Sequence, residues 1–431
     1  MQIIGTILFV LSVFLFSPSI AQQRYVDSLF VVVQTDTNRV YATAPQLTSQ
    51  YAGESATENV NLTMHVFQPA NDAELRRPML LCFHGGAFVS GTKEHDDMLA
   101  FCRQFASRGY VTASVQYRLG MNVVSAVSGT RSVYRALQDC RAAIRYIKHN
   151  AVQLKIDTAK IFALGSSAGG FIGLHTAYMN KESEKPASAN AINNFPPTLD
   201  NGPDLGALDA IESIYRYGGM PNGVISLWGG LKDTILIEQT DTTPLFLVHG
   251  TSDNIVPFNV GTPFNLTTLP ATYGSNPIHQ RLSNLHIDHQ TYFVDGAGHE
   301  FYGVTNGMWS PSPNAYWDTV VTKVTQFLYP RVVITSARRE QYLPNIFVLY
   351  QNYPNPFNPT TTISYQLSAK DFITLNIFDI LGREVATLLN EVKEAGNYSV
   401  KFDASKLSGG MYFAKLTTEH ESQIKKILLI K

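Results

Sequence analysis

Charged residues are scarce in this chain and evenly split. Only 16% of its 431 residues are Asp, Glu, Lys or Arg, and the formal net charge is −1. That balance gives no footing for attraction to nucleic acid or to an anionic membrane surface. Cysteine is nearly absent, with three residues, Cys82, Cys102 and Cys140. A disulfide framework is excluded, and at most one bridge can form. The expected pair is Cys102–Cys140, with Cys82 buried in a strand; the sequence leaves the pairing open. Long apolar runs are missing too, apart from residues 3–16. That run falls short of the roughly 20 residues a spanning helix needs. Small Ser19 and Ala21 follow it where a cleavage site needs them, although no Lys or Arg precedes it. Residues 1–21 read as a signal peptide, with the mature chain starting at Gln22, exported and without a membrane span after signal removal.

What the chain does have is apolar mass, 45% of its residues, which suffices for a large core and two domains. After an N-terminal segment at 22–59, residues 60–329 alternate short apolar runs with amphipathic stretches. Runs at 79–83, 110–115, 160–164, 224–228, 245–248 and 291–294 read as strands buried on both faces. Residues 98–108 and 133–150 read as helices; Leu137, Cys140, Ile144 and Ile147 form one stripe of the second. The pattern predicts an α/β three-layer sandwich on a mostly parallel sheet, with 60–67 as an antiparallel edge strand. Residues 180–222, rich in Pro, Gly, Asn and Ala, read as a lid or pocket wall with one helical piece near 205–215. Tyr215, Tyr217 and Trp228 are candidate walls. Residues 330–347 read as a linker. From 348 to 431, six short runs separated by Gly-rich turns predict an all-β, immunoglobulin-like sandwich.

The chemistry starts at Gly165-Ser166-Ser167-Ala168-Gly169, between an apolar run and a helical one. A Gly-x-Ser-x-Gly turn there holds its central serine, Ser167, on a sharp strand-to-helix bend. Side chains at the flanking glycines would collide. Ser166, one place early, is expected to point away. Upstream, His84-Gly85-Gly86-Ala87 ends a strand and offers backbone N–H groups to a developing oxyanion. Gly86 and Ala87 are the expected donors, joined by Ala168. Downstream, Asp253 follows the 245–248 strand, and His299 sits in a Gly-rich loop after the 291–294 strand. The order Ser, Asp, His suits a nucleophile with its base and orienting acid. Alternatives stay open: Asp295 or Asp233 for the acid, and His249 for the base. His279, His286 and His289 read as solvated, and Asp139 and Arg145 as structural ion-pair partners.

On these motifs, residues 60–329 resemble the α/β-hydrolase superfamily, in its exported esterase/lipase branch with an H-G-G oxyanion loop. The stretches at 108–120, 135–151 and 156–170 fit the same superfamily. The resemblance implies a serine esterase without metal or cofactor, acting on carboxylic esters and, in this branch, on acyl groups of plant polysaccharide such as acetyl or feruloyl. Ala87 in place of a third glycine leans away from the hormone-sensitive-lipase type. A general carboxylesterase or lipase is the alternative, and a prolyl-oligopeptidase-like peptidase another, although too few residues precede the first strand for a propeller. Residues 349–367, 377–389, 395–416 and the basic tail at 425–431 resemble a type IX secretion sorting domain. That implies delivery by the type IX machinery, through the periplasm of a Gram-negative bacterium, to the cell surface or medium.

Overall fold

The computed structural model describes residues 23–49, 51–333, 348–367, 370–394, 396–418 and 422–431. Residues 1–21, read above as a signal peptide, and most of residues 330–347, read as a linker, fall outside them. The chain divides into two compact units, Met1–Val332 and Val333–Lys431.

The first unit opens with two long antiparallel strands, β1 (Val32–Leu47) and β2 (Thr57–Pro69). Then come β3 (Arg77–Phe83), α1 (Asp96–Ala106), β4 (Val111–Val115), α2 (Ala126–His149), α3 (Ala151–Leu154), β5 (Ile156–Ser166) and α4 (Ala168–Tyr178). The remainder is β6 (Gly223–Leu227), β7 (Leu245–Gly250), β8 (Val260–Gly261), β9 (Thr272–Tyr273), α5 (Ser275–Asn284), β10 (His289–Val294), β11 (Val304–Thr305), β12 (Met308–Trp309) and α6 (Ala315–Val332). Eight strands form one sheet in the order β1-β2-β4-β3-β5-β6-β7-β10, parallel from β4 to β10. Every residue of β3, β4, β6 and β7 is buried, as expected for strands covered by helices on both faces.

Four sequence readings change. The stretch at 60–67 is antiparallel but is not the edge; β1 lies outside it, so part of the 22–59 segment belongs to this sheet. No residue of β1 from Val32 to Arg39 is buried, and most of them are polar, which leaves little apolar signal. Residues 205–215 form turns rather than a helix. α6 runs on through Val332, so residues 330–332 are helical rather than linker. All three cysteines are free and buried. Cys140 packs in the same cluster as Leu81 and Phe83 of β3, whereas Cys82, alternating with them, interacts with Cys102. The sheet itself separates Cys102 from Cys140.

The second unit holds β13 (Val348–Leu349), β14 (Thr360–Leu367), β15 (Asp371–Phe378), β16 (Glu384–Lys393), β17 (Gly396–Asp403), β18 (Gly410–Thr417) and β19 (Ser422–Leu429). One antiparallel sheet runs β13-β14-β17 and the other β16-β15-β18-β19. Ile363, Tyr365 and Phe402 of the first share a core with Ile373, Leu375, Ile377, Ala414 and Ile427 of the second. This is an immunoglobulin-like two-sheet sandwich.

Candidate active site

Ser167 occupies the turn between β5 and α4 with φ 53° and ψ −115°, a strained backbone for a residue with a side chain. The flanking glycines owe their place to close approach. A Cβ on Gly165 would lie 2.0 Å from the Gly169 carbonyl oxygen, and one on Gly169 would lie 2.0 Å from that of Phe83. The turn is held by the Ser167 N–H, which donates to Leu227 O at 2.9 Å. Ser166 points into the interior, where its Oγ accepts from the Trp228 indole N–H at 3.0 Å.

His299 and Asp253 come to Ser167 from the ends of β10 and β7. His299 Nδ1 lies 2.7 Å from Asp253 Oδ2, and His299 Nε2 lies 3.0 Å from Ser167 Oγ. A carboxylate only accepts, so Nδ1 carries the proton and Nε2 is free to accept from the Ser167 hydroxyl. Asp253 is fixed from behind. Its Oδ1 accepts from the Ile255 and Val256 N–H groups at 2.8 and 2.9 Å, and His249 Nε2 stands 3.2 Å from Oδ2. Burial pushes the Asp253 carboxyl up, but its bonds to His249 and His299 outweigh this and hold it well below the usual carboxylate range.

A depressed carboxyl of this kind contributes stability above the ordinary carboxylate range near pH 4, and the contribution is lost as pH falls toward the folded-state value. Unfolding midpoints of the wild type and Asp253→Asn are therefore expected to differ at pH 7 and to converge below about pH 4. A gap that stays constant with pH would contradict the role given to those bonds.

Three successive residues of the loop expected to meet the oxyanion lie at positive φ, 111° at Gly86, 54° at Ala87 and 61° at Phe88. Gly86 is obligatory, because a Cβ there would lie 2.2 Å from Ser90 O. His84 anchors the loop. Its Nδ1–H donates to Gly85 O at 2.6 Å, its ring stacks on Tyr117 at 4.3 Å, and the Tyr117 hydroxyl donates to His84 O at 3.0 Å. Burial pushes the His84 imidazole down to about 3, so it stays neutral. Ala87 and Ala168 line the same cleft as Ser167. Ala168 is the first residue of α4, and its N–H has no partner within the helix.

The rival acids are elsewhere: Asp295 accepts from the Thr251 hydroxyl, and Asp233 caps a short turn at Ile235. His249 serves Asp253 and bonds Ser275 Oγ at 2.8 Å. His279 and His289 pair with each other, and His286 is exposed. Asp139 pairs with Arg118, and Arg145 with Asp209.

A cavity of about 90 Å³ opens beside Ser167. Since about 10–15 Å³ holds one water on this measure, it takes a group of several heavy atoms. Its walls are Phe88, Val133, Leu137, Phe171, Met179 and Leu269, among others. Of residues 180–222 only Pro186 reaches it; the rest is a strap stapled along α2 by Arg131, Tyr134, Gln138 and Arg141. The candidate walls fail. Trp228 is fully buried, its ring meeting His299 in a T-shaped contact at 5.9 Å, and Tyr215 and Tyr217 lie against His149 at the far end of α2. The real walls come from α2, α4 and residues 263–272, whose apolar residues read as ordinary core in sequence.

Residues 64–201 match the BD-FAE family, and residues 351–431 match the secretion system C-terminal sorting domain. Gut esterase 1 of Caenorhabditis elegans is 34% identical over 124 residues, covering 28% of this chain and 20% of that protein. Esterase LipI of Mycobacterium tuberculosis is 30% identical over 132 residues, covering 30% of this chain and 38% of that protein. The chain thus spans well under half the length of these curated relatives. Thermogutta terrifontis esterase 2 phosphonylated by cyclosarin is 19% identical, covers 70% of this chain and 97% of its own, and has a TM-score of 0.45. The segment matched to the BD-FAE family includes the H-G-G loop and the Ser167 turn; Asp253 and His299 lie beyond it.

Proposed function

We propose that this protein is an exported serine esterase that removes acyl groups from plant polysaccharide. The observation that carries the chemistry is the Asp253–His299–Ser167 hydrogen-bond chain at 2.7 and 3.0 Å. Ser167 Oγ attacks the ester carbonyl while its proton passes to His299 Nε2. Asp253 stabilises the imidazolium. The tetrahedral oxyanion is met by the N–H groups of Gly86, Ala87 and Ala168. Collapse breaks the ester C–O bond, and His299 returns the proton to the leaving alcohol. Water, deprotonated by His299, then hydrolyses the acyl-enzyme and restores Ser167. None of these steps calls on a metal or cofactor. The sorting domain at 351–431 supports export to the surface or medium by the type IX route.

The apolar walls of the cavity favour an acyl group larger than acetyl, such as a feruloyl ring or a short alkyl chain. Two further buried methylenes are worth about 1.6 kcal/mol. p-Nitrophenyl butyrate is therefore expected to exceed the acetate in kcat/KM by about tenfold. Release of ferulate or acetate from acylated xylan would support the polysaccharide reading. Activity on p-nitrophenyl octanoate with none on xylan would move the protein to the general carboxylesterases, a reading the same apolar cavity favours. Cleavage of a prolyl anilide alone would make it a peptidase.

A further inference from the structure

Glu300, the neighbour of His299, has no place in the chemistry above, yet it is 9% exposed and sits in left-handed backbone at φ 52°. A glutamate in that conformation is strained and persists only where its surroundings enforce it. Here they do. Its Oε2 accepts from the Asn306 N–H at 2.6 Å and its Oε1 from the Gly307 N–H at 3.2 Å. Asn306 and Gly307, at φ 50° and 75°, form the tip of the β11–β12 hairpin. Two successive N–H groups in such a turn make a concavity that binds an anion. The carboxylate fills it.

The hairpin pairs only two residues on each strand and cannot stand alone. The start of α1 fastens its other side. The Asp97 N–H donates to Gly307 O at 3.3 Å, and the Trp309 N–H donates to Asp96 Oδ2 at 3.0 Å. The Tyr302 hydroxyl donates to Asp97 Oδ2 at 2.8 Å. Gly307 lies so close to His95 that a Cβ would meet its Nδ1 at 2.1 Å. Glu300 Oε1 also lies 3.7 Å from where a Cβ on Gly85 would sit, so it backs the oxyanion loop as well.

We propose that Glu300 is a positioning residue that sets the reach of His299 to Ser167, by locking the His299 loop to the β11–β12 hairpin and through it to α1. The proposal rests on the reading of Ser167 as nucleophile. Without the carboxylate, the Glu300 peptide relaxes out of the left-handed region and turns His299 with it. Misplacing a reacting group by about 1 Å can cost about 100-fold in rate.

The test uses the full chain and diethyl p-nitrophenyl phosphate, which needs no knowledge of the natural substrate. Ser167 Oγ bonds to phosphorus, the P–O aryl bond breaks, p-nitrophenolate leaves, and His299 takes the serine proton. Glu300→Ala is expected to slow phosphorylation and kcat for p-nitrophenyl butyrate by about 10- to 100-fold, with KM within about twofold. Glu300→Gln, which keeps one acceptor oxygen, should fall between. Gly307→Ala, which pushes the hairpin off His95, should slow the reaction too. The double variant Glu300→Ala/Gly307→Ala should be no slower than the worse single one, because both act through one contact. Wild-type rates in Glu300→Ala and Glu300→Gln would overturn the proposal. So would additive losses, or losses that merely track the unfolded fraction at the assay temperature. A wild type inert to the reagent, as inert as Ser167→Ala, would instead bring down the nucleophile assignment itself.

Discussion

Replacing Ser167 by alanine is expected to lower kcat on any ester substrate by at least about 10⁴-fold, with KM nearly unchanged. In barrier height that is about 5.5 kcal/mol. The nucleophile disappears, while the apolar cavity that binds the acyl group and the backbone N–H groups of the loop remain. The turn should survive, since alanine keeps the Cβ and the Ser167 N–H still reaches Leu227 O. Ser166→Ala is the matched control. Its hydroxyl accepts from the buried Trp228 indole and also bonds the buried Tyr302, both away from the Ser167–His299 bond, so activity should stay within a few-fold. Stability should fall by about 1–3 kcal/mol, because the indole N–H is left without a partner. Steady-state kinetics and thermal unfolding of the two variants separate these outcomes. A Ser166→Ala variant as inactive as Ser167→Ala would reverse the assignment within the motif.

The largest loss of stability is expected at a residue far from the chemistry. Glu54, between β1 and β2, is 1% exposed. Its Oε2 accepts from Arg131 Nε and Arg135 Nη1, each at 2.6 Å, and its Oε1 from Ser128 Oγ at 2.7 Å. Burial pushes this carboxyl up, but Arg135, Ser128 and Arg131 outweigh it and hold it below its ordinary value. Glu54→Ala leaves two buried guanidinium groups facing no anion. Removing one partner from a buried ionic cluster costs about 3–5 kcal/mol. The Tm should drop by on the order of 10 °C. Asp204→Asn, which breaks an exposed pair with Lys185, should change stability by less than about 1 kcal/mol. The sign with pH follows: the Glu54 contribution is full above the ordinary carboxylate range and is lost as pH falls below it toward the lower folded-state value. Equal Tm values for Glu54→Ala and Asp204→Asn would mean that the cluster does not hold β1 and β2 to α2.

The same cluster explains an error of reading. The strap at 180–222 has the composition of a lid, yet Arg131, Gln138 and Arg141 tie its carbonyls and Asp209 to α2. Nothing in a run of Pro, Gly and Asn distinguishes a loop that closes over a cleft from one stapled along a helix. The arginines that decide it lie some 60 residues upstream in a different element. His249 is a similar case. It stands at the end of β7 beside Asp253, but its 3.2 Å approach to that carboxylate depends on how the 251–256 turn folds back.

What the sequence determined by itself was everything local. The strand–turn–helix around Ser167, the apolar runs of the parallel strands and six of the seven strands of the C-terminal unit follow from short-range propensity and period. The glycines at 165, 169 and 86 carry their own steric reason. The order Ser167, Asp253, His299 pointed to a candidate site because the ends of parallel strands meet at one edge of such a sheet. Only the tertiary structure decided what that edge holds: which nitrogen of His299 faces which oxygen, that His249 touches Asp253 and Glu300 holds the β11–β12 hairpin, and that α2, α4 and residues 263–272 wall the cavity. It also decided that the sheet stands between Cys102 and Cys140, and that the largely polar strand β1 lies outside β2. These are contacts between residues far apart in the chain. They depend on which faces pack together, a quantity that no local pattern encodes.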